Sequence, residues 1–162
     1  MTMPLSARKP ADSYTEMVQV VLPNDANPLG FLLGGTAMHL IDIAGAIACH
    51  RHTRSLVVTA AVDGLQFIHP VKVGDLIVLK ACVTAAFRSS LEVEVEVFSE
   101  ETLTGVRRMT SRAYLGFVAT DRDGRRAGSG EPGCRPEPAR PRRGDDRRGC
   151  DPVDLPRAGR EP

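Results

Sequence analysis

Between Asn27 and Thr53 the chain reads NPLGFLLGGTAMHLIDIAGAIACHRHT, and this stretch limits the possible folds more than any other. Gly34 and Gly35 permit a tight entry into a helix, and Thr36 is a candidate cap. The run fades into HRHTR, where cations suit the negative end of a helix dipole. On a helical wheel Ala37, Leu40, Ile41, Ile43, Ala44, Ile47 and Ala48 cover well over half of the circumference. A surface helix shows one apolar stripe, so a helix apolar over this much of its girth is expected to be largely enclosed. One carboxylate, Asp42, interrupts it near the middle.

What encloses the helix is written on either side of it. SSLEVEVEVFS puts Leu91, Val93, Val95 and Val97 on one face of a strand and Glu92, Glu94 and Glu96 on the other. That alternation suits an antiparallel sheet covered on a single side. YTEMVQVVL, LVVTAAVDGLQFI, DLIVLKACVTAAF and RRMTSRAYLGFVAT also read as strands, with turn signals at DG, HPVKVGD and ETLTG. One strand, one long helix and four strands in succession give an α+β domain. Its sheet wraps the helix, and the first strand extends that sheet.

A chain of 162 residues has room for one such domain. The 21 basic and 20 acidic side chains nearly balance, which gives no electrostatic case for nucleic acid or an anionic membrane. No stretch reads as a secretory leader or a membrane span, so a cytoplasmic protein is expected. Cys49, Cys82, Cys134 and Cys150 form no CxxC pair, and free thiols are expected. No metal site is expected: on a helix, His50 and His52 point two ways. Residues 1–13 read as a flexible start and 14–125 as the domain. Residues 126–162, rich in Arg, Pro and Gly, form a tail too poor in apolar residues to offset its ordering entropy. Seven carboxylates interleave with eight arginines beyond residue 126, and no aromatic residue offers bases a platform.

Gly35 and Asp42 are seven positions apart, about two turns and roughly 20° different in direction, so they share a helix face. A solvated polar stripe, with His39 and His50 close by on the wheel, is the plainer explanation. The chemical alternative is a reaction site. Free backbone N–H groups at the start of a helix hold a carbonyl oxygen as negative charge develops on it, and a carboxylate further along activates water or attacks directly. Upstream, PNDANPLG is a turn-forming loop in which Asn27 offers an amide that both donates and accepts.

Taken together, PNDANPLGFLLGGTAMHLIDIAGAIACHRH, VVTAAVDGLQFIHPVKVGDLIVLKACV, RSSLEVEVEVFSEETLTGVRR and AYLGFVATDRDGR resemble the hotdog-fold acyl-CoA thioesterases of the acyl-CoA hydrolase type. The resemblance runs from about Met17 to Arg125 and keeps order and spacing. It implies a hotdog fold, an antiparallel sheet around one long helix, and hydrolysis of an acyl-CoA to a free fatty or other carboxylic acid and CoA. It further implies Asp42 as general base or nucleophile, Asn27 as the residue orienting thioester or water, and Gly34 and Gly35 as the segment meeting the thioester carbonyl. Arg88, Ser89 and Ser90 resemble a segment that contacts the nucleotide of CoA, with Phe87 where the family carries glycine. Thr59 and Asp63 resemble positions near the subunit interface, and strand pairing explains them equally well. No cofactor is implied, because CoA belongs to the substrate. The partners implied are that substrate and further copies of the chain. Asn27 and Asp42 of one site come from different subunits, so at least a dimer is needed, and a trimer of dimers is typical. The rival readings are a hotdog dehydratase or hydratase using an acid or His39, and a non-catalytic acyl-CoA-binding regulator.

Overall fold

In the computed structural model, which describes residues 10–126, β1 (Thr15–Val20) leads to α1 (Gly34–Thr53). Then come β2 (Leu56–Phe67), β3 (Leu76–Ala86), β4 (Ser90–Glu100) and β5 (Arg107–Thr120). The strands form a single sheet in the order β1-β3-β4-β5-β2, every pairing antiparallel. This is the succession expected from the sequence, with β1 extending the sheet beyond β3. Short 3-10 turns occupy Pro10–Ser13 and Pro23–Asp25. The folded unit therefore reaches back before residue 14. Ser13 is fully buried, and its hydroxyl accepts the Val83 N–H at 2.9 Å. The expectations for residues 1–9 and 127–162 lie outside the described residues.

The alternation in β4 sets the two faces of the sheet. Leu91, Val93, Val95 and Val97 are buried against α1. On the far face Arg112 pairs with both Glu94 and Glu96, the Tyr114 hydroxyl donates to Glu94 at 3.0 Å, and the Thr84 hydroxyl donates to Glu92 at 2.8 Å. Each fully buried Val, Leu or Ile on the inner face contributes roughly 1.5–3 kcal/mol of transfer free energy. Register therefore follows from which residues are apolar, because a slip by one would turn the glutamates inward. Asp63-Gly64, a turn signal in the sequence, does not end a strand. Gly64 takes φ 65°, and the β2–β5 pairing shifts register between Asp63 and Gln66, so the pair forms a bulge inside β2.

α1 buries Ala37, Leu40, Ile41, Ala44, Gly45, Ala48 and Cys49 against the sheet. Gly45 sets the approach: a Cβ there would lie 2.9 Å from the Phe117 ring, which is itself buried. Two expectations for this helix need correction. Thr36 does not cap it, because the helix begins at Gly34 with Leu33 in the capping position and no side-chain cap. The Thr36 hydroxyl already belongs to the first turn. Nor does the sheet enclose the helix. Met38 stays 45% exposed and Ile43 and Ile47 are only half-buried, because five strands cover one side of α1 and leave the other open. Beside that open side runs β2, an edge strand of 12 residues that exposes Leu56, Val58, Val62 and Phe67.

Cys49 is a buried free thiol whose pKa burial pushes up to about 12. Cys82 is disulfide-bonded, which corrects the expectation of a free thiol at that position; pairing depends on proximity in space, and spacing along the chain does not reveal it. Among the described residues no helix is long and apolar enough to cross a membrane, and no group of three or more metal-ligating side chains comes together.

The Gly45–Phe117 contact yields a direct prediction. Gly45→Ala is expected to destabilise the fold by roughly 1–3 kcal/mol, because the added methyl must displace a buried ring. Denaturant unfolding measures this, and an unchanged or raised midpoint would show that the ring has room to yield.

Candidate active site

The loop that delivers the chain into α1 is organised by Asn27. Its side-chain oxygen accepts the backbone N–H groups of Leu29 (3.0 Å) and Phe31 (3.1 Å). Its own backbone N–H donates to the Phe31 carbonyl at 2.8 Å, and its carbonyl accepts the Gly30 N–H at 2.9 Å. The turn-forming reading and the amide reading thus describe one residue. The oxygen of the side chain holds the loop, which leaves the NH₂ group to donate elsewhere.

Beyond the loop α1 begins without a side-chain cap. The first N–H with an intrahelical acceptor is that of Ala37, 3.0 Å from the Leu33 carbonyl, so those of Gly34, Gly35 and Thr36 point off the end of the helix. Both glycines are exposed, and at Gly35 a Cβ would meet nothing within 4 Å. The end of the helix is therefore open to a carbonyl oxygen, with the positive end of the dipole behind it. A cavity of about 380 Å³ opens there, lined by Asn27, Phe31, Gly34, Phe67, His69 and Ile77 among others. The resemblance did not mark Phe31, Phe67 or His69. Their one sequence signal was position, on the loop before α1 and on the turn after β2.

Asp42 lies eight residues further along, about 12 Å at the helical rise, and does not line that cavity. It is half-buried, and its carboxylate accepts the Thr59 hydroxyl of β2 at 2.5 Å. That bond ties the helix to the edge strand and fixes the direction of one carboxylate oxygen. Asp63 is exposed and sits opposite Tyr114 in the β2–β5 ladder, where its backbone pairs the strands. His39 is exposed on α1.

Arg88, Ser89 and Ser90 lie at the β3–β4 turn, toward the far end of α1 from Gly34. Arg88 is exposed, the Phe87 N–H donates to the Ser90 carbonyl at 2.8 Å, and the Ala119 N–H donates to the Ser89 carbonyl at 3.0 Å. Arg54 is the single non-glycine residue with positive φ among those described. The Phe87 backbone therefore does not need glycine; what replaces glycine is an exposed ring, 66% accessible. In sum, one chain brings Asn27 to Gly34 and Asp42 to Thr59. It leaves those two pairs apart from each other and from Arg88–Ser90.

A helix with an open amino end, an acid held at its middle and an antiparallel sheet on one side matches a known family. Residues 29–106 match the thioesterase superfamily. Over 105 residues the chain is 38% identical to an uncharacterized acyl-CoA thioester hydrolase of Bacillus subtilis; the match takes in 65% of this chain and 61% of the relative's length. A hexameric acyl-CoA thioesterase in the apo state superposes with a TM-score of 0.71 at 38% identity, covering 74% of this chain and 76% of that one. An acyl-CoA hydrolase of Staphylococcus aureus, solved in complex with butyryl coenzyme A, coenzyme A and coenzyme A disulfide, superposes with a TM-score of 0.68. It shares 33% identity over 72% of this chain and 71% of that one. It has also been solved with single asparagine, aspartate and threonine residues changed to alanine. The chain belongs to the hotdog-fold acyl-CoA thioesterases of the thioesterase superfamily.

The bonds of Asn27 separate its two roles by experiment. Asn27→Ala is expected to lower the unfolding free energy by about 1 kcal/mol, since two loop N–H groups lose their acceptor, whereas Asn27→Asp retains the acceptor and the stability. Parallel denaturant curves check this, and equal losses in both variants would contradict it.

Proposed function

We propose that the chain hydrolyses an acyl-CoA thioester to a free carboxylic acid and CoA. The thioester carbonyl lies against the N–H groups of Gly34 and Gly35, which stabilise the oxyanion as the tetrahedral centre forms. Asp42 takes the proton of the attacking water or attacks the carbonyl itself. The C–S bond then breaks and the sulfur leaves as the thiol of CoA; when Asp42 acts as base, water supplies the acid's new oxygen, and when Asp42 attacks, water then hydrolyses the acyl–Asp42 anhydride and restores the carboxylate. Thr59 holds Asp42 in position. The NH₂ group of Asn27 orients the thioester or the water, and it comes, together with the Gly34–Gly35 helix start, from a second subunit, because within one chain Asn27 and Gly34 border a cavity that Asp42 does not reach.

One observation carries this reading. The asparagine, aspartate and threonine altered in the S. aureus hydrolase follow one another at intervals of 15 and 17 positions, and so do Asn27, Asp42 and Thr59. Assembly into at least a dimer, and a hexamer beyond it, belongs to the same proposal. The open side of α1 and the exposed edge of β2 support it, together with the hexameric relative. A cytoplasmic setting, activity without a cofactor, and contact of Arg88, Ser89 and Ser90 with CoA belong to the same proposal.

Release of free CoA thiol from a series of acyl-CoA thioesters tests the proposal and identifies the favoured chain length. A dehydratase, a hydratase or a non-catalytic regulator would release none. Asp42→Asn is expected to lower the rate by about 100-fold or more while leaving the oligomer intact, the scale of a lost general base. Hydrolysis by that variant at the wild-type rate would refute the assignment. Oxygen-18 appearing in the Asp42 carboxylate after a single turnover in labelled water would identify attack by Asp42 itself.

A further inference from the structure

The cavity of about 380 Å³ at the start of α1 is closed at its inner end. Its mouth lies by Gly34, with Asn27 half-buried and His69 exposed beside it. Further in, the wall is made by Ala37 in the first turn of α1 (6% exposed), Val71 (5%), Ile77 of β3 (1%) and Val97 of β4 (1%). Val71, Ile77 and Val97 belong to the hydrophobic core, so the cavity ends on packed side chains and does not run through the domain. Register fixes this floor. Leu79 pairs with Val97, and Val97 with Ser111, which sets Ile77, Val97 and Ser111 on three neighbouring strands.

The inner wall has little to offer a polar group. Its two hydroxyls are committed to the sheet: Thr110 donates to the Val97 carbonyl at 3.1 Å and Ser111 to the Gln66 carbonyl at 2.8 Å. Among the described residues no Asp, Glu, Lys or Arg lines the cavity. A carboxylate or hydroxyl carried to the inner end would lose its water without finding a free donor, which is costly, whereas a hydrocarbon chain gains by leaving water. Size sets the second limit. At about 30 Å³ per water-sized group, a volume of about 380 Å³ holds roughly a dozen non-hydrogen atoms. The carbonyl and the open mouth take part of that space, which leaves room for a chain of about eight to ten carbons.

We infer that this cavity takes the acyl group and limits its length: the substrates are unsubstituted acyl-CoA thioesters of short to medium chain, up to about ten carbons, and Ala37, Ile77 and Val97 set the limit. The inference rests on the thioesterase reading, which puts the thioester carbonyl on Gly34 and Gly35 at the mouth. A chain attached there passes Ala37, one helical turn on, and ends against Ile77 and Val97. A longer chain has to displace core side chains or leave its far end in water.

The test measures kcat/KM for straight-chain acyl-CoA thioesters from acetyl to hexadecanoyl in the wild type, Ala37→Leu and Val97→Ala. In the wild type each added methylene is expected to raise kcat/KM by up to about fourfold until the cavity is full, with hexadecanoyl-CoA at least about tenfold below the optimum. Ala37→Leu, which fills space in the cavity, is expected to shift the optimum down by about three carbons, and Val97→Ala, which deepens the floor, to shift it up by about two. Acetyl-CoA is too short to reach the floor, and its kcat/KM is expected to stay near the wild-type value in both variants. Ala37→Leu removes nothing from the core and places a good helix former in α1, so it carries the test if Val97→Ala loses its fold. An optimum at the same length in the wild type and Ala37→Leu, or hexadecanoyl-CoA hydrolysed as well as octanoyl-CoA, would overturn the inference. If the wild type hydrolyses no thioester of any length, the thioesterase reading fails. Calorimetric binding of octanoate against hexadecanoate and against octanedioate, in the wild type and Ala37→Leu, then decides the cavity by itself: octanoate is expected to bind tightest to the wild type, and equal binding of all three would overturn the inference.

Discussion

The ring of Phe117 fills the space where a side chain at position 45 would stand, and this contact decides how closely the sheet approaches α1. With Gly45 drawn against β5, the helix is rotated so that Ala44, Ala48 and Cys49 are also sealed. Asp42, one turn earlier, stands at the border of the covered face, where β2 passes with Thr59. Moving the sheet outward by the width of a methyl group would loosen the packing and separate that hydroxyl from that carboxylate. Packing and chemistry therefore share one constraint: the site is positioned by the core.

Most of the scaffold was legible in the sequence because its signals are periodic. The alternation of valine and glutamate in β4 fixed a strand, its two faces and its register at once, since any slip would bury carboxylates. The ends of α1 were legible from the glycine pair and from the run of cations. What escaped was decided by tertiary contacts. Asp63-Gly64 has the composition of a turn and becomes a bulge, because β5 pairs with β2 on both sides of it. Thr36 has the composition of a cap, yet the helix begins two residues earlier, where Leu33 is held by the Asp25 carbonyl at 2.8 Å. The enclosure of α1 was half legible. Its apolar girth marked the side that the sheet covers, but periodicity does not tell whether this chain covers the other, and this chain leaves Met38 exposed and Ile43 and Ile47 half-buried.

The site shows the same division. Residue types marked Asn27, Asp42 and the glycine pair, and the fold gives each a definite task or position. The bond from Thr59 to Asp42 joins residues 17 apart in sequence; the resemblance marked both residues and not their contact. On this account a single chain holds an acid at mid-helix and an amide at the helix start. Only a second chain laid along β2 and the open side of α1 brings acid and amide to one thioester.

Sharing of the site between subunits is the central claim, and subunit complementation tests it most directly. Asn27→Asp and Asp42→Asn chains are each inactive on this account, and random reassembly of the two from denaturant places one intact site in every mixed dimer. The account predicts recovery of about a quarter of the wild-type rate of CoA release. Mixed oligomers, verified by mass, that hydrolyse no faster than either parent would contradict it.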